Sequence, residues 1–165
     1  MASLGLTPSK ALGQNFLHDR GVVRRIADGA GIQPGETVLE VGPGLGILTE
    51  ELAARAARVI AVELDDRLAA YLPTVMPENV EIVHADATTV DSGALAGSDY
   101  RVVANLPYSV GNAILRRMQE ADPPARSLTV MVQREVAERM TASPPEMSIL
   151  AVAVQLYGTP RILFR

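Results

Sequence analysis

A chain of 165 residues with 48% hydrophobic side chains and a net charge of -4 can form one globular domain with its own core, but not two full ones. No apolar run approaches the roughly 18 residues of a membrane span and no charged-then-apolar leader opens the chain, so the expectation is a cytoplasmic protein without a membrane partner. Cysteine is absent, which removes disulfides, thiolate nucleophiles and Cys-based zinc; with only His18 and His84 as nitrogen ligands, no metal is expected.

Met1 to Arg20 carries K-A-L-G-Q-N-F-L-H-D, polar residues around an apolar pair. Val22, Val23, Ile26 and Ala27 then fall at helical spacing and predict a helix over 21–30. Gln33-Pro34-Gly35 is turn chemistry leading into T-V-L-E-V, a buried strand that runs straight into the glycine-dense G-P-G-L-G of Gly42 to Gly46. An alanine- and leucine-rich helix is predicted over 49–57, an apolar strand ending in acid over 58–64, and a helix over 68–75 that stops before Pro77. A third strand, V-E-I-V-H-A-D over 80–86, also ends in acid. A fourth over 101–106 is broken by Pro107, followed by a helix over 111–120, a fifth strand over 128–133 and a helix over 135–140.

Strands alternating with helices at this spacing imply right-handed crossovers and a mostly parallel α/β sheet covered on both faces. Such sheets bind ligands outside the carboxyl ends of their strands, which is where the pattern places Gly42, Glu63, Asp86 and Asn105. Glycines at 42, 44 and 46 would let a ligand approach backbone that a Cβ shields. A tight turn without a ligand would not require that many glycines, nor an acid at the end of the next strand. Glu63 there can accept both hydroxyls of a ribose, and Asp86 can receive an amine or order the loop around an adenine ring. Either acid alone reads as a surface or capping carboxylate; with the glycine loop they point to an adenosine-containing ligand.

The fourth strand ends in Asn105-Leu106-Pro107-Tyr108, a carboxamide, a proline and an aromatic ring at the same crevice. The exocyclic amine of adenine is a poor nucleophile because its lone pair is delocalised. Two acceptors, the Asn105 side-chain oxygen and the Leu106 carbonyl, would take its two hydrogens and favour a pyramidal nitrogen, while Tyr108 stacks on the base. An electrophilic methyl on a sulfonium placed in line could then be attacked without a covalent enzyme intermediate, by positioning and electrostatics. Charge is uneven along the chain: residues 1–100 hold 14 acids and 7 bases, residues 101–165 hold 5 acids and 8 bases. Arg116, Arg117, Arg126, Arg134 and Arg139 are therefore candidates for a polyanion, set against the plainer reading of solvated helix-face arginines.

Six ordered motifs, Q-N-F-L (14–17), E-V-G-P-G-L-G (40–46), V-E-L-D (62–65), A-D-A (85–87), N-L-P-Y (105–108) and M-V-Q-R-E-V-A-E-R (131–139), resemble the bacterial ribosomal RNA adenine dimethyltransferases of the KsgA type, over about Lys10 to the end. The related erythromycin-resistance methylases share most of these motifs. The resemblance implies a Rossmann-like class I methyltransferase fold and S-adenosylmethionine as cofactor. It implies dimethylation of two adjacent adenosines near the 3' end of small-subunit ribosomal RNA, within the immature small ribosomal subunit. By motif match, Asn15 and Leu17 in an N-terminal segment (1–20) would close over the cofactor, and Gly42 and Gly44 would approach its methionine part. Glu63 would hold the ribose, Asp86 the adenine end, and Asn105 would bridge cofactor and target beside Leu106, Pro107 and Tyr108.

Two departures qualify the resemblance. The sequence stops at Arg165, where the family continues into a proline-rich segment, a last strand and a small helical domain that grips RNA, and the loop over 141–147 is shorter than the family's. A single cofactor-binding domain over 1–165 is expected, with a gap or a paired edge beside the fifth strand instead of seven strands. Two other functions fit parts of the pattern. A nicotinamide-dependent oxidoreductase would use the glycine loop and Glu63 but gives N-L-P-Y no role; a non-catalytic RNA or ribosome-assembly factor would keep the fold without turnover.

Overall fold

The computed structural model describes Leu17, residues 19–107 and residues 109–165. Five parallel strands form one sheet, β1 (Thr37–Val41), β2 (Arg58–Glu63), β3 (Val80–His84), β4 (Tyr100–Asn105) and β5 (Ser127–Met131), in the order β3-β2-β1-β4-β5. From β1 the chain builds outward to β2 and β3, then returns to the other side for β4 and β5. The reversal therefore lies between β1 and β4, where Val41 is level with Ala104. That is the point at which open sheets of this kind leave a crevice.

Alternation along the strands separates two cores. Val38, Val59 and Val103 face α1 (Arg20–Ala30) and α2 (Ile47–Ala53), where Val23, Ile26, Leu48 and Leu52 are buried. Leu39, Val41, Ile60, Val62 and Val102 face the other way, onto α4 (Ser92–Ala96), α5 (Gly111–Gln119), α6 (Arg134–Met140) and α7 (Ile149–Gln155) through Ala96, Ile114, Leu115, Met118, Met140 and Val154. The connection after β2 is α3 (Asp66–Tyr71), tightened into a 3-10 turn over Leu72–Thr74 before β3.

The predicted strands and helices are present with shifted ends. The third strand stops at His84, two residues short of Asp86, and the helix after the glycine loop is Ile47–Ala53 instead of 49–57. Two helices, α4 and α7, were not predicted. The gap expected beside the fifth strand is there: β5 is the sheet edge among the described residues, and a cavity of about 600 Å³ is lined by Leu128 and Val130 of β5 together with Leu163 and Phe164. The segment over 160–165 is not a strand. Its Phe164 lies under the Arg25 guanidinium, 4.1 Å from the ring centre, so the segment packs toward α1.

At the amino end of the sheet, opposite the crevice, Glu36 gathers three elements. Its Oε2 accepts from Arg101 Nε at 2.7 Å and from the Gln33 backbone N–H at 2.8 Å; its Oε1 accepts from Arg101 Nη2 at 3.1 Å and Arg126 Nη1 at 3.0 Å. Arg101 also donates to the Ala30 carbonyl and to Ser127, so the start of β1 is tied to α1, β4 and β5. Arg126 adds an ion pair to Asp99.

Candidate functional site

The crevice is built by backbone before any side chain enters it. Gly42, Gly44 and Gly46 have φ of +70°, +57° and +82°, a run of left-handed residues that only glycine adopts cheaply. At Gly42, whose N–H donates to the Val62 carbonyl at 3.0 Å, an added Cβ would stand 3.8 Å from the Asn105 carbonyl oxygen. It would project into the space between the ends of β1 and β4. Gly46 has a packing reason as well, because a Cβ there would meet Met76 Cε at 2.6 Å.

Glu63, the last residue of β2, is 6% exposed and lies across this loop. Its Oε2 accepts from the Gly44 N–H at 3.2 Å and its Oε1 from the Asp65 N–H at 2.8 Å. Burial raises its pKa, and the backbone N–H groups of Asp65, Gly44 and Leu64 oppose that rise. A carboxylate has about four lone-pair sites, and the three backbone donors do not fill them, so Glu63 can still accept from a ribose hydroxyl. Glu63→Ala is expected to weaken S-adenosylmethionine binding by about 1 to 3 kcal/mol, the scale for losing hydrogen bonds to a charged acceptor. Calorimetric titration reads it, and an unchanged dissociation constant would remove Glu63 from that role.

The other predicted positions divide into three groups. Leu17, Gly42, Gly44 and Asn105 line one small cavity together with Glu40, Pro43 and Leu48. Asp86 is exposed and serves its own loop, accepting from the Thr88 N–H at 2.8 Å and the Thr88 hydroxyl at 2.7 Å, bonds that lower its pKa. Asn15 and Tyr108 lie outside the described residues, as does all of the proposed N-terminal closing segment except Leu17, Asp19 and Arg20. Leu106 and Pro107 shape the turn after β4: the Leu106 side chain is buried in the core, its N–H donates to the Met131 carbonyl, and the Pro107 carbonyl accepts from Gly111 at the start of α5. The Leu106 side chain is therefore part of the core and not of the crevice.

Sequence reasoning overlooked Glu40. It is 1% exposed, its Oε2 has no hydrogen-bond partner among the described residues, and burial pushes its carboxyl up to about 8. The signal was present as a lone acid inside an apolar strand. Four of the five arginines proposed for a polyanion are engaged within the chain: Arg116 with Glu120, Arg134 with Glu138, Arg126 with Glu36 and Asp99, and Arg117 with the Val90 carbonyl. No group of three or more metal-ligating side chains occurs among the described residues, and no described helix is long and apolar enough to cross a membrane.

The sequence profile of the ribosomal RNA adenine dimethylase family matches residues 6–163. A "Ribosomal RNA small subunit methyltransferase A" of Dehalococcoides mccartyi is 42% identical over 99% of this chain and 57% of its own length; that of Deinococcus radiodurans is 46% identical over 96% and 55%. Among solved structures, the 23S rRNA methyltransferase ErmE superposes with a TM-score of 0.69 at 38% identity, covering 77% of this chain and 51% of its own. A dimethyladenosine transferase from Plasmodium falciparum gives 0.72 at 27%, covering 86% and 52%. The chain thus spans a little over half the length of the curated relatives it matches. A methyltransferase family on this sheet implies S-adenosylmethionine as the methyl donor. A loop that a Cβ would fill at Gly42, with the buried carboxyl groups of Glu40 and Glu63 beside it, suits a ligand that carries both a diol and a cation. Profile, relatives and sheet agree that the chain belongs to the ribosomal RNA adenine dimethylase family.

Proposed function

We propose that this chain is the cofactor-binding domain of an enzyme that dimethylates the exocyclic amines of two adjacent adenosines near the 3' end of small-subunit ribosomal RNA, acting on the immature subunit in the cytoplasm. The observation that carries the reading is the meeting of the glycine loop, Glu63 and Asn105 at the carboxyl ends of β1, β2 and β4, on either side of the sheet's reversal. In this reading Gly42 and Gly44 lie against the methionine end of the cofactor, Glu63 holds the ribose, Asp86 orders the loop at the adenine end, and Asn15 and Leu17 cover the site.

When bound, S-adenosylmethionine supplies an electrophilic methyl group on a sulfonium. The protein's part is to aim the target nitrogen. The Asn105 side-chain oxygen and the Leu106 carbonyl accept the two amine hydrogens and draw the lone pair out of the ring, Pro107 holds the turn that presents them, and Tyr108 stacks on the base. Transfer in line then needs no covalent enzyme intermediate.

The test joins this chain to the carboxyl-terminal part that its relatives carry, then offers it immature small subunits and labelled cofactor. Incorporation saturating at two methyl groups on each of two adjacent adenosines is the expected result. Tight binding to the subunits with no incorporation would replace the enzyme with a non-catalytic assembly factor on the same fold.

A further inference from the structure

Glu40 is 1% exposed. On β1 it shares a face with Val38, packed toward α2 inside a sheet covered on both sides. The Thr49 hydroxyl on α2 is near enough to favour the charged form, yet neither it nor Glu40 Oε2 completes a hydrogen bond. A buried carboxylate with one oxygen unpartnered is costly to keep charged, so the group avoids the cost by keeping its proton. Burial dominates the rise to about 8, and the Glu63 carboxylate at the end of β2 adds to it. Glu63 is the titratable group facing Glu40; Thr49 from α2 and Asn105 from β4 are neutral.

The same carboxyl lines a cavity of about 30 Å³ with Leu17, Gly42, Pro43, Gly44 and Asn105. That is room for one water or one ammonium-sized group. We infer that Glu40 is a proton-linked binding residue, protonated in the free chain and giving up its proton to solvent when the ammonium of S-adenosylmethionine's amino-acid end enters the cavity. The O–H bond of the carboxyl breaks, the buffer takes the proton, and a carboxylate paired with the cation remains; no electrons change hands. The inference rests on the reading that places the methionine end of the cofactor at Gly42.

Calorimetric titration of the 165-residue chain with S-adenosylhomocysteine, which has the same amino-acid end, tests it at pH 7 in phosphate and in Tris. The two buffers differ in ionisation enthalpy, so the difference in heat counts protons. The parent is expected to release close to one proton per ligand bound and Glu40→Gln close to none. Below pH 7 the parent's dissociation constant is expected to fall several-fold for each unit of rising pH, and the variant's is not. Binding without proton release, or equal release from the variant, overturns the Glu40 assignment and leaves the cofactor site standing; absence of binding by the parent overturns both. If Glu40→Gln does not fold, the carboxyl carbon of Glu40 in the parent can be titrated by NMR instead. A value well above the usual glutamate range in the free chain that drops on binding supports the inference. An ordinary value in the free chain, as a water-bound carboxylate would show, overturns it.

Discussion

Asn105→Ala is expected to slow methyl transfer about a hundred- to a thousandfold, or about 2.7 to 4 kcal/mol, the loss seen when one preorganised polar contact to a reacting group is removed. The fold should survive. Asn105 is the last residue of β4 and half-exposed, and the ladder at that point is held by backbone, through the register of Asn105 with Met131. What disappears is the acceptor that orients the target amine, so the loss should appear in the rate constant at saturating RNA. Tyr108→Ala should lose stacking worth about 1 to 3 kcal/mol, and Tyr108→Phe should keep most of it because the ring does the stacking. The readout is labelled methyl transfer to immature subunits by the extended protein. A parent-like rate for Asn105→Ala would eliminate the amine-acceptor mechanism.

Glu36→Ala is expected to destabilise the chain by about 3 to 5 kcal/mol, the cost of leaving a buried ion-pair partner uncompensated. Arg101, whose side chain is 16% exposed, is the group left behind. In the folded chain the hydrogen bond from Arg101 leads the effects that bring the Glu36 carboxyl down to about 2, below an ordinary value of 4.5. Because the folded value is the lower one, the stabilisation is complete above about pH 4.5 and is lost as pH falls from there toward 2. Denaturant melts of parent and variant between pH 3 and 7 measure this directly. The variant should lose the acid-dependent part of its stability, and two parallel pH profiles would contradict the assignment.

Periodicity exposed the sheet because its strands are buried on both faces and read as unbroken apolar runs, V-I-A-V between Val59 and Val62 being the clearest. It failed on α4, where S-G-A-L-A is too short to show a helical period and is held by the Asp91 cap on Ala94. It failed on α7 for the opposite reason: I-L-A-V-A-V has no polar face to mark a period, and Ile149, Val152 and Leu156 are in fact exposed. The third strand was read two residues too long, to Asp86, and the fifth to Gln133, because composition does not say where pairing stops. The crevice was legible because each of Gly42, Glu63 and Asn105 sits at a strand end, and the switch in strand order then brings those ends together. Glu40 was read as part of the strand and nothing more. Its meaning lies in the third dimension, where a buried sheet face meets the small cavity beside the glycine loop. Charge along a sequence likewise does not reveal the carboxylates at Glu120, Glu138 and Glu36 that meet Arg116, Arg134 and Arg126.

If the strand-end crevice of this chain holds S-adenosylmethionine, the thermal midpoint of the chain rises when the ligand is added. A ligand that binds only the folded state at a hundred times its dissociation constant stabilises by about 2.7 kcal/mol, which for a domain of this size is about 5 to 10 °C. A rise of that order with S-adenosylmethionine or S-adenosylhomocysteine, and none with a nicotinamide dinucleotide, is the predicted result; an unchanged midpoint with both adenosyl compounds, or a rise with the dinucleotide instead, would contradict it.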